Sequence, residues 1–352
     1  MAVPKPIENV LYVLGAGFSA PLGLPVTSNF LAMARDQFAA EPERYKHFTS
    51  IFAKIDDLSR IKNVFQCDLR NVEEILSLLE MRSFLDEGEG VKEFIQFLED
   101  VISFHTPTLA WTAPQPGAGG PPYAFGGDRL TNEYTRFIAA IFKLIVNPTV
   151  RPKIARETPG QRRYAIITTN YDRVLENFAR YLIESAGELT GGDCVFVTDA
   201  SGFLDTAPAL TKLHGGVGEG NIVPPTWSKG SHASMRPNWR LAEKLIAQAN
   251  RIRVIGYALA PADAYVRYLF KLAMLTSTNL KSIDVLCLDP DGSVKTNYDS
   301  FVDAHSFRGY RFVSQDFAQY TRFLNNEAHS IGSQTESAAV EATHTQFFGR
   351  PF

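Results

Sequence analysis

The sequence lacks the features that mark several classes of protein. Its three cysteines, Cys67, Cys194 and Cys287, lie far apart without a CxxC pair, which excludes a zinc ribbon and argues against a disulfide framework. No His, Asp or Glu cluster has the spacing of metal ligands, so we expect no metal site. Lys and Arg number 35 against 38 Asp and Glu, so no overall basic charge favours direct nucleic-acid binding.

The sequence also shows no pattern typical of a membrane span or of a secretory signal peptide. The longest apolar stretch, residues 137–146, is interrupted by Lys143 and is too short to span a membrane. The N-terminal residues do not show a charged segment followed by an apolar one, as a signal peptide would. With so few cysteines, the chain suits a reducing compartment. We therefore expect a cytoplasmic protein.

What is present predicts a globular α/β protein. The chain has 352 residues, 45% of them hydrophobic and 21% charged, which excludes a disordered chain and a coiled coil. From residue 164 onward, predicted strands alternate with predicted helices, which is typical of a parallel sheet with right-handed crossovers. We expect a Rossmann-like parallel sheet with helices on both faces and a helical insertion after the first βα unit.

The predicted organisation has three parts. Residues 1–29 and 160–329 form the Rossmann-like domain, residues 30–159 a helical insertion with a Pro/Gly-rich loop over 106–127, and residues 330–352 a polar tail. The predicted strands cover 10–14, 164–168, 195–198, 209–213, 252–255 and 283–288. One predicted helix begins at Asn71, a capping-box residue. The other predicted helices cover 91–102, 130–145, 172–184, 241–250 and 262–275, and the last one covers 316–325.

A glycine loop follows the first strand. The apolar run Val10–Leu14 is typical of a strand buried on both faces, and it leads into Gly15, Ala16, Gly17, Phe18 and Ser19, with Pro25 further along. Such a loop allows close approach of a pyrophosphate, and the following helix offers unpaired N–H groups to anions. A tight turn without a ligand is the other interpretation, because the GxGxxG spacing is not met and no acidic residue follows about twenty positions later.

Polar residues end two further strands. Thr168, Thr169, Asn170 and Asp172 follow the strand that begins at Tyr164, where the ligand crevice of a parallel sheet lies; an ordinary helix cap by Asn170 or Asp172 is equally compatible. His214 lies between an apolar strand and a glycine pair. It could act as a general base or stabilise a cation, although a lone histidine is more often structural.

Two more junctions complete the pattern. Gly256 and Tyr257 follow the strand at 252–255, and Asp289 follows the strand at 283–288. An acidic residue after a buried strand can hold ribose hydroxyls, but the sequence Asp-Pro-Asp-Gly is also a plain turn. From the residues alone, both interpretations of Asp289 stay open.

The order of these motifs resembles the Sir2 superfamily. The matches are Gly15 to Ser19, Gly23-Leu24-Pro25, Thr168 to Asp172, Leu213-His214-Gly215 and Gly256-Tyr257, and they cover about residues 8–28 and 160–325. The resemblance implies NAD+ bound across the carboxyl ends of the strands. It implies that the pyrophosphate lies at Gly15, Ala16, Gly17 and Ser19 and that the adenosine half lies near Gly256 and Asp289. It also implies that Asn170 lies beside the nicotinamide ribose, that His214 is catalytic, and that Asp172 holds the shape of the site.

The sequence departs from the deacylases of that family in three places. Val26-Thr27 stand where those enzymes have Phe-Arg, Thr169 stands where they have glutamine, and the four zinc-binding cysteines are missing. These features are similar to bacterial Sir2-like proteins of anti-phage defence, which implies an NAD+ glycohydrolase. A deacylase or ADP-ribosyltransferase, or a non-catalytic NAD- or ADP-ribose-binding subunit, are the alternatives. Control by a homo-oligomer or by a separate sensor or HerA-type ATPase subunit is implied, because free activity would be toxic.

The helical insertion and the C-terminal tail are the candidate contact surfaces of the expected homo-oligomer. Leu78, Leu79, Phe84 and Leu85 exceed what one amphipathic stripe buries. Phe347, Phe348 and Phe352 end a polar tail, so they either fold back on the sheet of the same chain or dock onto a neighbouring subunit.

Overall fold

The computed structural model describes residues 7–58, 61, 64–65, 71–86, 90–112, 125, 128–147, 151–157, 162–190, 193–223, 233–261, 263–277, 279–322 and 335–349. Cys67, Phe352 and most of the Pro/Gly-rich loop 106–127 lie outside these residues. Among the described residues, no helix is both long and apolar enough to cross a membrane.

The central element is a six-stranded parallel sheet. Its strands are β1 (Glu8–Leu14), β4 (Arg162–Thr168), β6 (Ala209–Lys212), β7 (Arg251–Ile255), β8 (Ser282–Leu286) and β9 (Tyr310–Val313), in the spatial order β6-β4-β1-β7-β8-β9. A smaller sheet holds β2 (Leu144–Asn147), β3 (Lys153–Arg156) and β5 (Glu188–Thr190). The predicted Rossmann-like sheet is confirmed. The first strand, β1, lies in the interior of the sheet, and its run Val10–Leu14 is accordingly buried on both sides.

Helices cover both faces of the large sheet. The first are α1 (Ala16–Ser19), α2 (Phe30–Ala40), α3 (Phe48–Leu58), α4 (Val72–Asp86), α5 (Gly90–His105), α6 (Arg129–Ile141) and α7 (Val174–Ser185). They are followed by α8 (Arg236–Gln248), α9 (Ala264–Met274), α10 (Ser293–Asp299), α11 over 317–322, and α12 (Glu336–Phe348). Alternate residues of β1 belong to two different cores: Tyr12 packs with α6, α7 and α12, and Val13 with α8 and α9.

The helices α2 to α5 form a third core of their own. It contains Phe30, Phe48, Ile75 and Phe97 among others. The predicted helix start at Asn71 is observed, because its side-chain oxygen accepts the N–H of Glu74 at 3.3 Å. The division into domains stays a prediction.

The structure corrects several predicted elements. The helix predicted to include Ile145 ends at Ile141, because Lys143 adopts a positive φ of 56° and the chain turns into β2. Residues 195–198 contribute one bridge, from Val197 to Ala209, rather than a strand. The strand β9 and the helix α10 carry no clear sequence signal and were not predicted. The helix predicted at 316–325 is not the last one, since α12 follows.

The C-terminal segment packs inside its own chain. Phe347 and Phe348 lie against the core that also holds Tyr12 and Phe317. Arg311 donates to the carbonyls of Phe348 and Gly349 at 2.9 and 2.8 Å and so caps the C-terminus of α12. For these two aromatic residues, the fold-back alternative is therefore the observed one.

Candidate functional site

A cleft of about 900 Å³ lies at the carboxyl ends of the central strands. This is the edge where parallel sheets bind ligands, and the volume is in the upper part of the roughly 300–1,000 Å³ range of ligand sites. Most of the predicted site residues line it: Ala16, Gly17, Pro25, Thr169, Asn170, Asp172, His214, Gly256 and Tyr257. Gly15, Phe18, Ser19 and Asp289 do not.

The glycine loop is packed tightly against the loop that follows β7. The N–H of Gly15 donates to the carbonyl of Ile255 at 3.0 Å, and that of Gly17 to the carbonyl of Gly256 at 2.9 Å. A Cβ at Gly17 would lie 2.7 Å from the Cα of Gly256, closer than atoms can approach. These glycines therefore allow two loops to meet behind the cleft, and Gly17 still forms part of its wall.

Asn170 is held against the glycine loop. Its side-chain nitrogen donates to the carbonyl of Gly15 at 3.0 Å and to the hydroxyl of Ser19 at 3.2 Å. Its own N–H donates to the Thr168 hydroxyl at 3.0 Å. A buried side-chain amide held by two hydrogen bonds, on a backbone held by a third, has one orientation, so the side chain is preorganised at the cleft wall.

Asp172, and not Asn170, caps the helix that follows. The Asp172 carboxylate accepts the N–H of Val174 at 3.0 Å in the first turn of α7, so the cap interpretation holds for this residue. Burial raises the pKa of the Asp172 carboxyl, while hydrogen bonds from Val174 and Ser19 and the charge of Lys212 act in the opposite direction. The group thus lies in the cleft wall beside both Ser19 and a cation.

Lys212 is a buried cation that sequence reasoning did not single out. Its ammonium donates to the carbonyl of Asp172 at 2.8 Å and pairs with the carboxylate of Glu176 at 2.8 Å. Lys212 is the last residue of β6, two positions before His214. It ties the loop that carries Asn170 to the strand that leads into His214.

His214 lies deep in the cleft wall. Only 3% of the residue is exposed, and its ring lies 6.0 Å from the ring of Tyr171, centroid to centroid. The backbone on either side is fixed: Leu213 donates to the carbonyl of Thr168 at 2.9 Å, and Val223 donates to that of His214 at 2.9 Å. The backbone that carries the ring is therefore held on both sides, by the end of β4 and by residue 223.

Phe18, Ser19 and Asp289 support the site from outside its wall. Phe18 is buried among the rings of Tyr134, Phe137 and Phe317. The Asp289 carboxylate accepts the N–H groups of Val294 and Lys295, both at 3.0 Å. Asp289 therefore caps α10, while its neighbours Leu288, Pro290 and Asp291 line the cleft.

The opposite wall comes from the helical insertion and had no sequence signal. Val72 and Leu76 of α4 and Leu98 and Ile102 of α5 line the cleft, as do Leu24 and Phe30. Their apolar character is that of any amphipathic helix, so only the packing of the insertion over the sheet shows that they face a cavity. Tyr257 and Asp263 add a hydrogen-bonded pair to the β7 side, with the hydroxyl 2.6 Å from the carboxylate.

The buried cysteines are chemically quiet. Burial raises the pKa of the Cys194 thiol to about 11 and that of Cys287 to about 12, so at neutral pH both are protonated and poorly nucleophilic. Within the described part of the chain, no three His, Cys, Asp or Glu side chains come together as metal ligands would.

Comparison with known proteins gives weak likenesses only. No protein-family model matches the chain, and no curated protein matches it. Among solved structures, one described as Sir2Tm bound to a propionylated peptide matches with 11% identity and a TM-score of 0.31, over 92% of this chain and 94% of the other. One described as Sir2 with the inhibitor EX-527, 2'-O-acetyl-ADP-ribose and deacetylated p53 peptide matches with 14% identity and a TM-score of 0.30, over 91% and 94%. Neither likeness carries an argument about this chain at these scores.

Proposed function

We propose that the protein is a Sir2-like NAD+ glycohydrolase that produces ADP-ribose and nicotinamide. The observation that carries this is that Asn170 and His214, 44 positions apart in the sequence, both lie in the wall of one cleft beside a glycine loop. The order of motifs supports NAD+ as the ligand, and the cleft is large enough for a dinucleotide.

The chemistry needs little beyond these groups. Nicotinamide leaves as a neutral amine, so the bond between its nitrogen and the ribose C1′ breaks with the electron pair going to nicotinamide. The oxocarbenium-like transition state needs orientation and electrostatic support. Asn170 is fixed by hydrogen bonds from its own nitrogen and orients the ribose or a water. His214 accepts the proton of the water whose oxygen bonds to C1′.

A deacylase or ADP-ribosyltransferase is the second candidate. It is favoured by the apolar wall that α4 and α5 contribute, which suits an acyl or other apolar acceptor better than bulk water. In that case the acceptor oxygen, rather than water, attacks C1′. A role as an NAD-depleting effector of anti-phage defence, in the cytoplasm and with an oligomeric or ATPase partner, rests on the resemblance of the motifs.

Nicotinamide release from NAD+ alone tests the proposal. We expect the purified chain, with its genomic neighbour where the chain alone is silent, to release nicotinamide and ADP-ribose without any protein substrate. His214→Ala and Asn170→Ala should lower the rate on the order of a hundredfold or more. His305→Ala, which changes an exposed histidine outside the cleft, is the matched control.

Two results would decide against hydrolysis. Formation of O-acyl-ADP-ribose from an acylated peptide at a comparable rate would establish the deacylase instead. Tight ADP-ribose binding without turnover under any condition would leave a binding subunit. Turnover by His214→Ala at the wild-type rate, with unchanged melting, would remove His214 from the mechanism.

A further inference from the structure

The helix α9 is apolar on both of its faces. Its inner face is buried against the sheet through Val266, Leu269, Phe270 and Ala273. Its outer face carries four large side chains that are 43%, 69%, 57% and 80% exposed: Tyr265, Tyr268, Leu272 and Leu275. Their spacing of three, four and three residues places them in one stripe along the helix. A second apolar stripe on the outer face of a helix is normally covered by another surface.

The neighbouring helix α8 flanks this stripe with positive charge. Arg236, Arg240 and Lys244 follow one another at four-residue intervals and are all exposed. Within the described residues, no carboxylate pairs with any of the three. The two helices pack side by side, with the ring of Trp239 edge-on to Tyr265 at 6.5 Å.

Negative charge is scarce on this surface. The only carboxylate in α8 is Glu243, and residues 264–275 contain none. Lys271 adds a cation on the far side of the stripe, where its ammonium lies 5.9 Å from the Tyr268 ring. The chain as a whole has a net charge of −3, so this positive surface is a local exception.

We propose that the α8–α9 surface, formed by the Tyr265–Leu275 stripe and the Arg236–Lys244 cations, docks an acidic amphipathic helix of a partner protein. The i, i+3, i+7 spacing is the pattern by which one helix packs along another. Cations on the flank select acidic residues beside the apolar face of the partner. A two-fold contact between copies of this chain would bring the same positive surface together from both sides, which disfavours a second copy.

The docking surface is connected to the candidate site. Trp239 donates its Nε1–H to the carbonyl of Leu213 at 3.1 Å, and Asn238 donates to that of Lys212 at 2.9 Å. These two carbonyls immediately precede His214. Trp239 thus links Tyr265 to the backbone that carries His214, and we expect a partner docked on Tyr265 to shift the His214 ring. The catalytic meaning of that shift, but not the docking, rests on the proposed function.

Binding of a designed helix tests the docking. The probe is a fluorescein-labelled helical peptide with leucines at i, i+3 and i+7 and flanking glutamates; the controls are its scrambled form and a form with lysines in place of the glutamates. We expect only the glutamate peptide to bind in fluorescence anisotropy, more weakly as salt rises. Tyr268→Ser should weaken binding roughly thirtyfold, as for an interface hot spot.

Two matched variants make the test specific. The double variant Arg240→Glu, Lys244→Glu should lose the glutamate peptide and gain the lysine peptide. Val195→Glu, at an exposed apolar residue outside the surface, should bind as the wild type does. Equal binding of all three peptides, or none, would overturn the proposal. If light scattering shows a doubled mass for the wild type and a single mass for Tyr268→Ser, the surface binds a second copy of the chain instead. If the protein binds phosphatidylserine vesicles more tightly than the peptide, the surface binds a membrane instead.

The connection to His214 has a readout that needs no turnover. In the NMR spectrum of protein labelled at histidine, the resonance of the His214 ring is identified by its loss in His214→Asn. We expect the peptide to shift this signal in the wild type and not in Trp239→Phe, which keeps an aromatic ring but lacks the N–H. An unmoved signal with bound peptide would refute the connection. Absence of nicotinamide release would count against the proposed function only, because neither binding nor the NMR shift depends on it.

Discussion

Replacing Glu341 by glutamine tests how firmly the C-terminal helix belongs to the sheet. Arg253 lies in the middle of β7 with only 2% exposed, and its guanidinium donates to both carboxylate oxygens of Glu341, at 2.8 and 2.7 Å. The same guanidinium donates to the Tyr12 hydroxyl at 2.8 Å. Glu341→Gln keeps the size of the side chain and leaves the buried cation without its countercharge.

Two routes to the magnitude agree. Removing one partner of a buried ion pair typically costs about 3–5 kcal/mol. The pKa of Glu341 is lowered from 4.5 to about 2; burial opposes this shift, and the charge and hydrogen bonds of Arg253 outweigh it. That shift corresponds to about 3 kcal/mol of stability at neutral pH. Because the folded pKa is the lower one, this contribution is present above pH 4.5 and is lost as the pH falls toward 2.

Urea unfolding at pH 7, followed by circular dichroism, measures the effect. We expect Glu341→Gln to lower the free energy of unfolding by about 3 kcal/mol. The matched control is Glu184→Gln, which removes an exposed pair with Arg180 at 3.7 Å and should change stability by less than about 1 kcal/mol. The double variant Arg253→Met, Glu341→Leu should recover most of the loss, because no buried charge is left unpaired. Equal effects of Glu341→Gln and Glu184→Gln would refute the reasoning.

Three further predictions concern the sheet and the cleft. Burial, and then the charge of Arg253, lowers the pKa of His344 to about 4. Between pH 6.5 and 4 the unfolded chain therefore binds a proton that the folded chain does not, and wild-type stability falls as the pH drops. His344→Gln should remove this dependence on pH, as measured by urea unfolding. Gly256→Ala should unfold at a clearly lower temperature than Gly292→Ala, because both have φ above +60° but only a Cβ at Gly256 would lie 2.3 Å from backbone atoms; equal melting temperatures would contradict this. Lys212→Met should lower the free energy of unfolding by about 1–3 kcal/mol, because the partly exposed Glu176 carboxylate and the Asp172 carbonyl lose their donor. Lys212→Arg should recover part of this loss, and the same urea titration checks both variants.

The sequence by itself determined the sheet and the position of its ligand edge. The apolar runs of β1, β4 and β7 are long enough to be strands buried on both faces, and each ends in glycine or polar residues. Parallel strands place their carboxyl ends together, so Gly17, Asn170, His214 and Gly256 were expected to meet, and the structure brings them into one cleft. This part of the argument is local, because each motif directly follows its own strand.

Only the tertiary structure decided which polar groups are committed elsewhere. Asp289 follows a buried strand as a ribose ligand would, yet its carboxylate caps α10, and Asp172 caps α7. The apolar wall from α4 and α5 looks in sequence like any amphipathic helix. Which carbonyl, N–H or cavity a side chain meets depends on segments far away in the chain.

The C-terminal helix shows the same limit most clearly. A sequence with Arg253 and Asp284 inside buried strands requires partners for both charges, but it does not say where they come from. The structure supplies Glu341 of α12, 88 positions from Arg253, as the partner of the arginine. Asp284 is paired with Arg311 of the neighbouring strand β9 and is also hydrogen-bonded to His344 of α12. The segment looked polar and unlike a core element because its Glu and His are the residues that face the sheet. The buried Arg253–Glu341 pair and the His344–Asp284 hydrogen bond hold this helix against the sheet together with Phe347 and Phe348, and hydrophobic periodicity alone did not reveal its place.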